Sequence, residues 1–516
     1  MDAETIYRRR WATLAVLSLS LLIIGLDNTI LNVALPTLVR ELGATASELQ
    51  WMVDAYVLVF AGLLLTMGAL GDRFGRKIAL NAGLVLFAVA SIAAAYASTA
   101  GGLIAWRAVM GIGGALIMPS TLSIITNIFS GVERGRAIAA WAAVAGLGIV
   151  IGPALGGWLL ENFWWGSIFL INVFVAAVAL IAGWFLVPES KDPQATPLDP
   201  LGAILSIAGA GSLVYAIIEA PSRGWTDSVV LLAGGASIVV LALFLWWETK
   251  TEHPMLKLSF FENPRFSAAA AAITLVFFAM FGTIFMLTQY LQFVLGYTPL
   301  EAGFRVMPVA TMVIAAPLSA RLTEKFGTKV VVATGLAIVA GAMAILALIN
   351  DASGYGHVAL AISLLGIGMG SAMAPATDSV MGSLPLAKAG VGSAMNDTTR
   401  QIGGALGVAI LGSVMASSYS ATMEPLVTRL PAEAAAAASD SIGGAMAVAA
   451  QIGDAAAPIV EAAKSAFIDA MGTAIWVAVG VALLGSILTA MFLPARPRDT
   501  VGAETAASGD RQPMAG

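Results

Sequence analysis

The chain contains no cysteine, which excludes disulfide bonds, thiolate nucleophiles and metal sites built from cysteine. Charged residues are also scarce: they make up 11% of the 516 residues, against roughly a quarter in an ordinary soluble domain. The two histidines, His253 and His357, lie in predicted loops, which removes most histidine-dependent chemistry from the apolar segments. Together these deficits argue against a soluble protein.

Hydrophobic residues account for 59% of the chain and fall into long uncharged runs. A helix needs about 20 apolar residues to cross ~30 Å of hydrocarbon. Fourteen runs meet this length, so we predict an all-α polytopic membrane protein. The predicted spans are 11–36, 49–70, 77–97, 102–128, 135–160, 166–187, 198–218, 228–248, 266–291, 299–321, 329–349, 357–379, 389–415 and 468–493.

Basic residues are unevenly distributed over the predicted loops. An even number of spans puts both termini on the same side of the membrane. If this side is the cytoplasm, 19 of the 26 Lys and Arg residues lie in the cytoplasm, as the preference of basic residues for that side requires. We therefore predict a multi-pass protein of the inner (plasma) membrane with both termini cytoplasmic. The first run contains Asp27 and Asn28 and is too long for a signal peptide, so it is predicted to be an uncleaved anchor.

A ten-residue motif occurs twice, 252 residues apart. GALGDRFGRK at 68–77 lies between the second and third predicted spans, and ARLTEKFGTK at 320–329 lies between the tenth and eleventh. Many transporters consist of duplicated halves. We therefore predict two six-helix bundles, 1–188 and 266–493, separated by a linker and two inserted helices at 189–265.

Four motifs in the first half resemble those of one membrane protein family. They are LDNTILNVALP at 26–36, GALGDRFGRK at 68–77, RAVMGIGGA at 107–115 and GIVIGPALGG at 148–157. With them the chain resembles the major facilitator superfamily, and specifically its fourteen-helix drug:proton antiporter branch. Met110 stands where the family usually has Gln. The resemblance covers about residues 10–493.

This resemblance implies a major facilitator fold, alternating access and proton-driven export of amphipathic or cationic drugs. It also assigns two groups of motif residues. The gating motif comprises Gly68, Asp72, Arg73, Gly75, Arg76 and Lys77. The antiporter motif comprises Gly148, Gly152, Pro153, Gly156 and Gly157.

Each motif also has a physical interpretation of its own. The charged turn of the gating motif is suited to cap a neighbouring helix or to form ion pairs across the two bundles. The alternative is that its basic residues only set the orientation of the chain in the membrane. The glycines of the antiporter motif allow close helix approach. As the resemblance implies, such a seam limits proton leak, and the alternative is ordinary small-residue packing.

Ionisable residues at membrane depth are costly and are usually functional or paired. Asp27, Arg107 and Asp54 are predicted at a similar depth in the outer half of the first bundle. Burial favours a neutral carboxyl and a nearby arginine favours a charged one, so these opposed effects predict a proton-exchanging acid. The alternatives are a static salt bridge and, for Asp54, a position at the membrane interface.

In the second half, Asp397 and Arg400 lie three residues apart on one predicted helix face. This pair is either a second proton or cation site or a self-neutralised pair. Aromatic residues at Phe277, Phe281 and Phe285 share a face of the ninth span. They either contact lipophilic cations or, as the more common arrangement, face lipid.

Two segments fall outside the bundles. Residues 417–467 are predicted to be an external loop with some helix because it is rich in alanine, and to lie outside the transport path, so that shortening it preserves transport. The tail at 494–516 is polar and predicted to be disordered.

Other functions remain open at this point. An exporter of an endogenous metabolite, lipid or siderophore fits the same architecture. A membrane-embedded enzyme is disfavoured because the chain lacks cysteine, histidine at membrane depth and a G-x-S-x-G motif, and a scaffold is disfavoured by the intramembrane charges. No ATP-binding G-x-x-x-x-G-K-[ST] motif is present. We expect small-molecule substrate, protons and lipid as partners of a monomer, without nucleic acid, metal or cofactor.

Overall fold

The computed structural model describes residues 3–129, 131–191, 198–350, 353–383 and 389–494. Within these ranges the regular structure is helical throughout. The first eight helices are α1 (Ala3–Leu42), α2 (Ala46–Phe74), α3 (Arg76–Ala95), α4 (Ala100–Ile128), α5 (Gly131–Asn162), α6 (Ser167–Leu186), α7 (Pro200–Arg223) and α8 (Ser228–Lys250). The others are α9 (Pro264–Gln289), α10 (Pro299–Val306), α11 (Thr311–Phe326), α12 (Thr328–Ala347), α13 (Tyr355–Gly382), α14 (Ala389–Met423), α15 (Ala432–Asp440), α16 (Ile442–Ile452) and α17 (Ala457–Phe492).

These helices form two bundles and an inserted pair. In the first bundle α1 packs against α5, and α4 packs against both α2 and α3. In the second bundle α9 packs against α14, and α12 packs against both α13 and α17. The helices α7 and α8 pack on each other, and α7 also contacts α2 and α14. The predicted fold class, two bundles with two extra central helices, is confirmed.

The helices match the predicted spans. Thirteen segments among the described residues are long and apolar enough to cross a membrane. The other predicted span, 135–160, lies within the 32-residue helix α5. The tenth predicted span consists of α10 and α11, joined by a short 3₁₀ turn at Met307–Ala310.

The predicted external loop differs from the structure at both ends. The helix α14 continues to Met423 and α17 starts at Ala457, which leaves 424–456 between them instead of 417–467. Alanine and other good helix formers in both flanks let the helices extend beyond the hydrocarbon core. Of the other predicted segments, residues 495–516 of the tail and 192–197 of the linker lie outside the described residues.

The repeated motif contains a glycine at the same point of each bundle. Gly75 ends α2 with φ of 128° and Gly327 ends α11 with φ of 83°. The Gly75 N–H donates to the carbonyl of Gly71, and the Gly327 N–H donates to that of Thr323. A side chain is disfavoured at positive φ, so each glycine permits the turn between two successive spans.

The two bundles meet at the end of the protein opposite the start of α1 and the end of α17, which we call the outer end. Gly157 of α5 lies directly against the backbone of Pro299 at the start of α10, and Gly303 of α10 lies against the Pro153 carbonyl. Nearby, Gln292 Nε2 donates to the Val33 carbonyl at 2.8 Å. These contacts close the outer end of the seam between the bundles, which we call the outer seam.

We expect Gly157→Ala to loosen the outer seam, because a methyl group at this position would overlap the Pro299 and Leu300 backbone. A cysteine introduced at Leu49, a fully buried residue near this end, would then be alkylated from outside several times faster. The absence of native cysteine makes this readout specific.

The matched control is Gly146→Ala, in the same helix, where a methyl group meets no atom within 4 Å. Equal labelling in the two glycine variants would contradict the expected role of Gly157.

Candidate functional site

The centre of the first bundle contains an ion pair between Asp27 of α1 and Arg107 of α4. Arg107 Nη1 donates to Asp27 Oδ2. The two residues are 3% and 1% exposed. Arg107 Nε also donates to the Met52 carbonyl of α2 at 2.9 Å. The structure therefore brings two of the predicted charges together and connects three helices through one guanidinium.

Two further residues complete this site, and the sequence analysis did not identify them. Asn172 Nδ2 of α6 donates to Asp27 Oδ1 at 3.0 Å. The ring of Tyr56 lies 4.5 Å from the Arg107 guanidinium carbon, a distance suited to a cation–π contact. A lone asparagine in the otherwise apolar α6 is the signal that points to Asn172.

Asp54 lies on α2 near this site but does not join its hydrogen-bond network. Its side chain is fully buried. Neither carboxylate oxygen has a hydrogen-bond partner among the described residues. Burying an ionised carboxylate without a partner is very costly, so these surroundings accommodate the neutral, protonated acid.

The predicted pair of the second bundle also forms. Arg400 Nη1 lies 3.6 Å from Asp397 Oδ1. Arg400 Nη2 also donates to Thr377 Oγ1 of α13 at 3.3 Å, and its guanidinium lies 5.6 Å from the Phe277 ring. The Asp397 side chain is 9% exposed and that of Arg400 is 29% exposed, so this pair is less secluded than Asp27 and Arg107.

The aromatic residues of α9 do not face lipid, contrary to the more common arrangement expected from the sequence. Phe277, Phe281 and Phe285 are all buried inside the protein, as is Tyr290 directly after the end of α9. The rings of Phe277 and Phe281 stack with centroids 6.0 Å apart. Phe281 packs against Gly404 of α14, and the absence of a side chain there allows the ring to turn inward.

The first residues of the gating motif contact α4 and one another. Gly68 lies against Pro119 of α4. Asp72 Oδ1 accepts a hydrogen bond from Arg76 Nε at 2.7 Å. Arg73 is exposed, with its guanidinium 5.7 Å from the Phe74 ring.

The other contacts of the gating motif lie at the end of α6. Lys77 Nζ donates to the Trp184 carbonyl at 2.9 Å, which places a cation at a helix C-terminus. The Arg76 N–H donates to the Ser190 carbonyl at 2.9 Å, and the Lys77 N–H donates to Glu189 Oε1 at 3.2 Å. These contacts fit the capping interpretation, and they join the motif to the end of α6 and to the first residues of the linker.

The antiporter motif packs α5 against the helix that carries Asp27. Gly148 faces the α1 backbone at Gly25, and Gly152 and Gly156 face the next turn of α1 at Thr29 and Ile30. Pro153 and Gly157 point instead toward α10 in the second bundle. One helix therefore contacts both the Asp27 region and the outer seam.

We expect Arg107→Lys to destabilise the protein although it keeps the positive charge. The lysine ammonium lacks the separate N–H donors with which the Arg107 guanidinium binds Asp27 and the Met52 carbonyl at the same time. One charge-assisted hydrogen bond is therefore lost, which lowers the free energy of unfolding by about 1.5–3 kcal/mol. Thermal unfolding in lipid nanodiscs measures the change.

Arg223→Lys is the control, since Arg223 forms an exposed pair with Glu219. Its unfolding temperature should hardly change. Equal unfolding temperatures of the two variants would show that the two hydrogen bonds of the buried Arg107 guanidinium are not needed for stability.

The comparisons with known proteins agree with this geometry. Residues 17–408 match the Major Facilitator Superfamily. The chain is 36% identical over 462 residues to the multidrug efflux pump LfrA of Mycolicibacterium smegmatis, covering 89% of this chain and 91% of that protein. It is 34% identical over 470 residues to the methyl viologen resistance protein SmvA of Salmonella typhimurium, covering 89% and 93%.

Two further matches extend over nearly the whole chain. The tetracenomycin C resistance and export protein of Streptomyces glaucescens is 31% identical over 498 residues, with 95% of this chain and 93% of that protein covered. A crystal structure of a bacterial homologue of the human lysosomal transporter Spinster, inward-facing and unoccupied, superposes with a TM-score of 0.65 at 18% identity, covering 95% and 99%. By sequence and by fold, this multi-pass membrane protein belongs to the major facilitator superfamily.

Proposed function

We propose that this chain is a proton-coupled antiporter that exports amphipathic and cationic organic compounds from the cytoplasm. It acts as a monomer in the inner (plasma) membrane, with both termini cytoplasmic. The observation that carries the proposal is the buried Asp27 carboxylate, held between Arg107 and Asn172. An ionisable group at this depth is a functional candidate. The names of the relatives, which include efflux and drug resistance proteins, support the same substrate class.

Proton exchange at Asp27 supplies the coupling step. A proton on the carboxyl removes its negative charge and weakens its attraction to Arg107, while Arg107 keeps its bond to the Met52 carbonyl. The helix α1 is then held less tightly against α4. Because α5 packs on α1 beside Asp27 and on α10 at the outer seam, movement of α1 is transmitted to the seam.

Two other acids are candidates for additional proton sites. Asp54 is buried without a partner among the described residues, so gaining or losing a proton there has a large energetic effect. Asp397 is paired with a partly exposed arginine, and water reaches this pair more easily. Phe277, beside Arg400, offers an aromatic surface for a lipophilic cation in the same bundle.

The decisive experiment measures ethidium accumulation in inverted membrane vesicles with and without a pH gradient. We expect gradient-dependent accumulation by the wild type and a loss of tenfold or more in Asp27→Asn, since a positioned proton-transfer group contributes about 10²–10⁴-fold. Asp27→Glu should retain part of the activity with a shifted pH optimum. Asp469→Asn, at an exposed position of α17, is the control and should behave as wild type.

The outcomes separate the alternatives. Uphill transport by Asp27→Asn with a normal pH profile would move the coupling site to Asp397 or Asp54. A wild type that accumulates no ethidium would favour an exporter of an endogenous metabolite, lipid or siderophore.

We also expect Asp72→Asn and Arg73→Ala to slow turnover several-fold while leaving ethidium binding nearly unchanged. The gating motif lies at the inner ends of α2 and α3, far from Asp27. Binding is measured by fluorescence titration of the purified protein and turnover by vesicle transport. An equal loss of both would count against a gating role.

A further inference from the structure

The segment between α14 and α17 is docked on the outer end of both bundles. Its helices α15 and α16 are joined at Ser441 and pack on each other, and we call them together the outer hairpin (432–452). Buried residues of α16 include Ile442, Gly443 and Ala445. Gly443 lies against Val39 near the end of α1. The hairpin therefore belongs to the second bundle by sequence and packs on the first bundle as well.

Asp440, at the turn of the outer hairpin, connects it to α2. Its Oδ2 accepts a hydrogen bond from the Ala46 N–H at 2.8 Å. Ala46 is the first residue of α2, where backbone N–H groups lack partners within the helix and favour a negative charge. Asp440 is partly exposed, so it also contacts the external solution.

A small chamber lies directly behind Asp440. It has a volume of about 20 Å³ and is lined by residues of the first bundle, the second bundle and the hairpin. This is room for about one water molecule. Its polar lining consists of Gln50, Gln289, Tyr419, Asp440 and Ser441.

The inner wall of the chamber leads toward Asp54. Gln50, a fully buried residue, lines the chamber. Asp54 follows Gln50 by four residues in α2, which is about one helical turn or ~6 Å. The chamber therefore lies between an acid in contact with outside water and a buried acid without a partner among the described residues.

We propose that Asp440 is the residue through which protons from outside reach Asp54, by way of water in the chamber. This inference rests on the proposed function and adds a route to it. A hydronium ion outside protonates the Asp440 carboxylate and leaves neutral water. The Asp440 carboxyl then gives its proton to the chamber water while that water gives one to the Asp54 carboxylate, so Asp440 becomes charged again, the water stays neutral and one proton has moved inward. Asp440 is thus a proton-positioning residue of the antiport cycle.

The surroundings of Asp440 favour this role. Burial raises the pKa of Asp440 above its usual value, and the nearby Glu48 raises it as well, although the hydrogen bonds from Ala46 and Ser441 lower it. Among the described residues, the titratable groups facing it are Glu48 of α2 and Tyr419 of α14. Asp440 therefore binds a proton at a less acidic external pH than an ordinary aspartate does.

Asp440 has an alternative interpretation as a purely structural residue, because its hydrogen bond with Ala46 also holds the outer hairpin on α2. Asp440→Asn keeps an oxygen that can accept the hydrogen bond from the Ala46 N–H, but an amide cannot carry the proton. Asp440→Ala loses both the acceptor and the acid, whereas Asp440→Glu keeps an acid. The three variants therefore distinguish a proton carrier from a mechanical fastener.

The experiment measures ethidium efflux from preloaded cells as the external pH is varied. For Asp440→Asn we expect the external pH at which the efflux rate is half-maximal to fall by about one unit, so that a tenfold higher proton concentration is needed. The loss of rate should be largest at alkaline pH, where protons are scarce. Asp440→Glu should restore most of the wild-type profile. Alkylation of a cysteine at Leu49 shows whether the outer seam stays closed in each variant.

Two results would overturn the proposal. If Asp440→Asn keeps the wild-type pH profile while Asp440→Ala is impaired and more readily labelled, the residue is a fastener only. If Asp440→Asn and Asp440→Glu are equally impaired, the acid is not what matters. Failure of the proposed function has a different result, namely no pH-dependent efflux by the wild type. The sequence-based expectation that the external segment can be shortened without loss is not retained.

Discussion

The arrangement of the first bundle depends on one buried contact, the pair between Asp27 and Arg107. Its side-chain atoms hold α1, α2, α4 and α6 at a common level, through the Met52 carbonyl and the Asn172 amide. In an apolar bundle, helices gain little from hydrophobic packing against one another, because lipid tails are equally apolar. A hydrogen-bonded network of charged and polar groups with partners on four helices therefore defines the relative positions of these helices more precisely than packing does.

The same contact explains why a proton changes the structure as well as the charge. A buried ion pair is stable only while both charges and their hydrogen bonds are present, and loss of one partner leaves the other uncompensated. Asp27 is the member of the pair that can be neutralised, because arginine stays charged. The antiporter motif then converts this local change into movement, since Gly148 and Gly152 hold α5 against α1 while Gly157 holds it against α10.

Much of this could be predicted from the sequence, for identifiable reasons. The number of spans follows from the length of the apolar runs, and the two halves follow from the repeat that contains Gly75 and Gly327. The meeting of Asp27 with Arg107 follows from counting helical rise in two antiparallel spans. Asn172 and Tyr56 were missed because the order of the helices does not define how each helix is rotated about its axis, and this rotation decides which side chains meet Asp27 and Arg107.

The docking of the outer hairpin could not be predicted, for a different physical reason. Its alanine-rich composition predicts helix but not where that helix docks, and the contact that docks it joins Asp440 to a backbone N–H almost 400 residues away. The inserted pair follows the same rule. Trp51 Nε1 of α2 donates to Glu219 of α7, and Ser413 of α14 donates to the Ile217 carbonyl of α7. The helix α7 thus bridges α2 of the first bundle and α14 of the second. Polar contacts of this kind define the position of elements that an apolar environment would not fix. At the outer end of this transporter, hydrogen bonds from segments added to the two six-helix halves therefore reinforce the contacts that the halves make with each other.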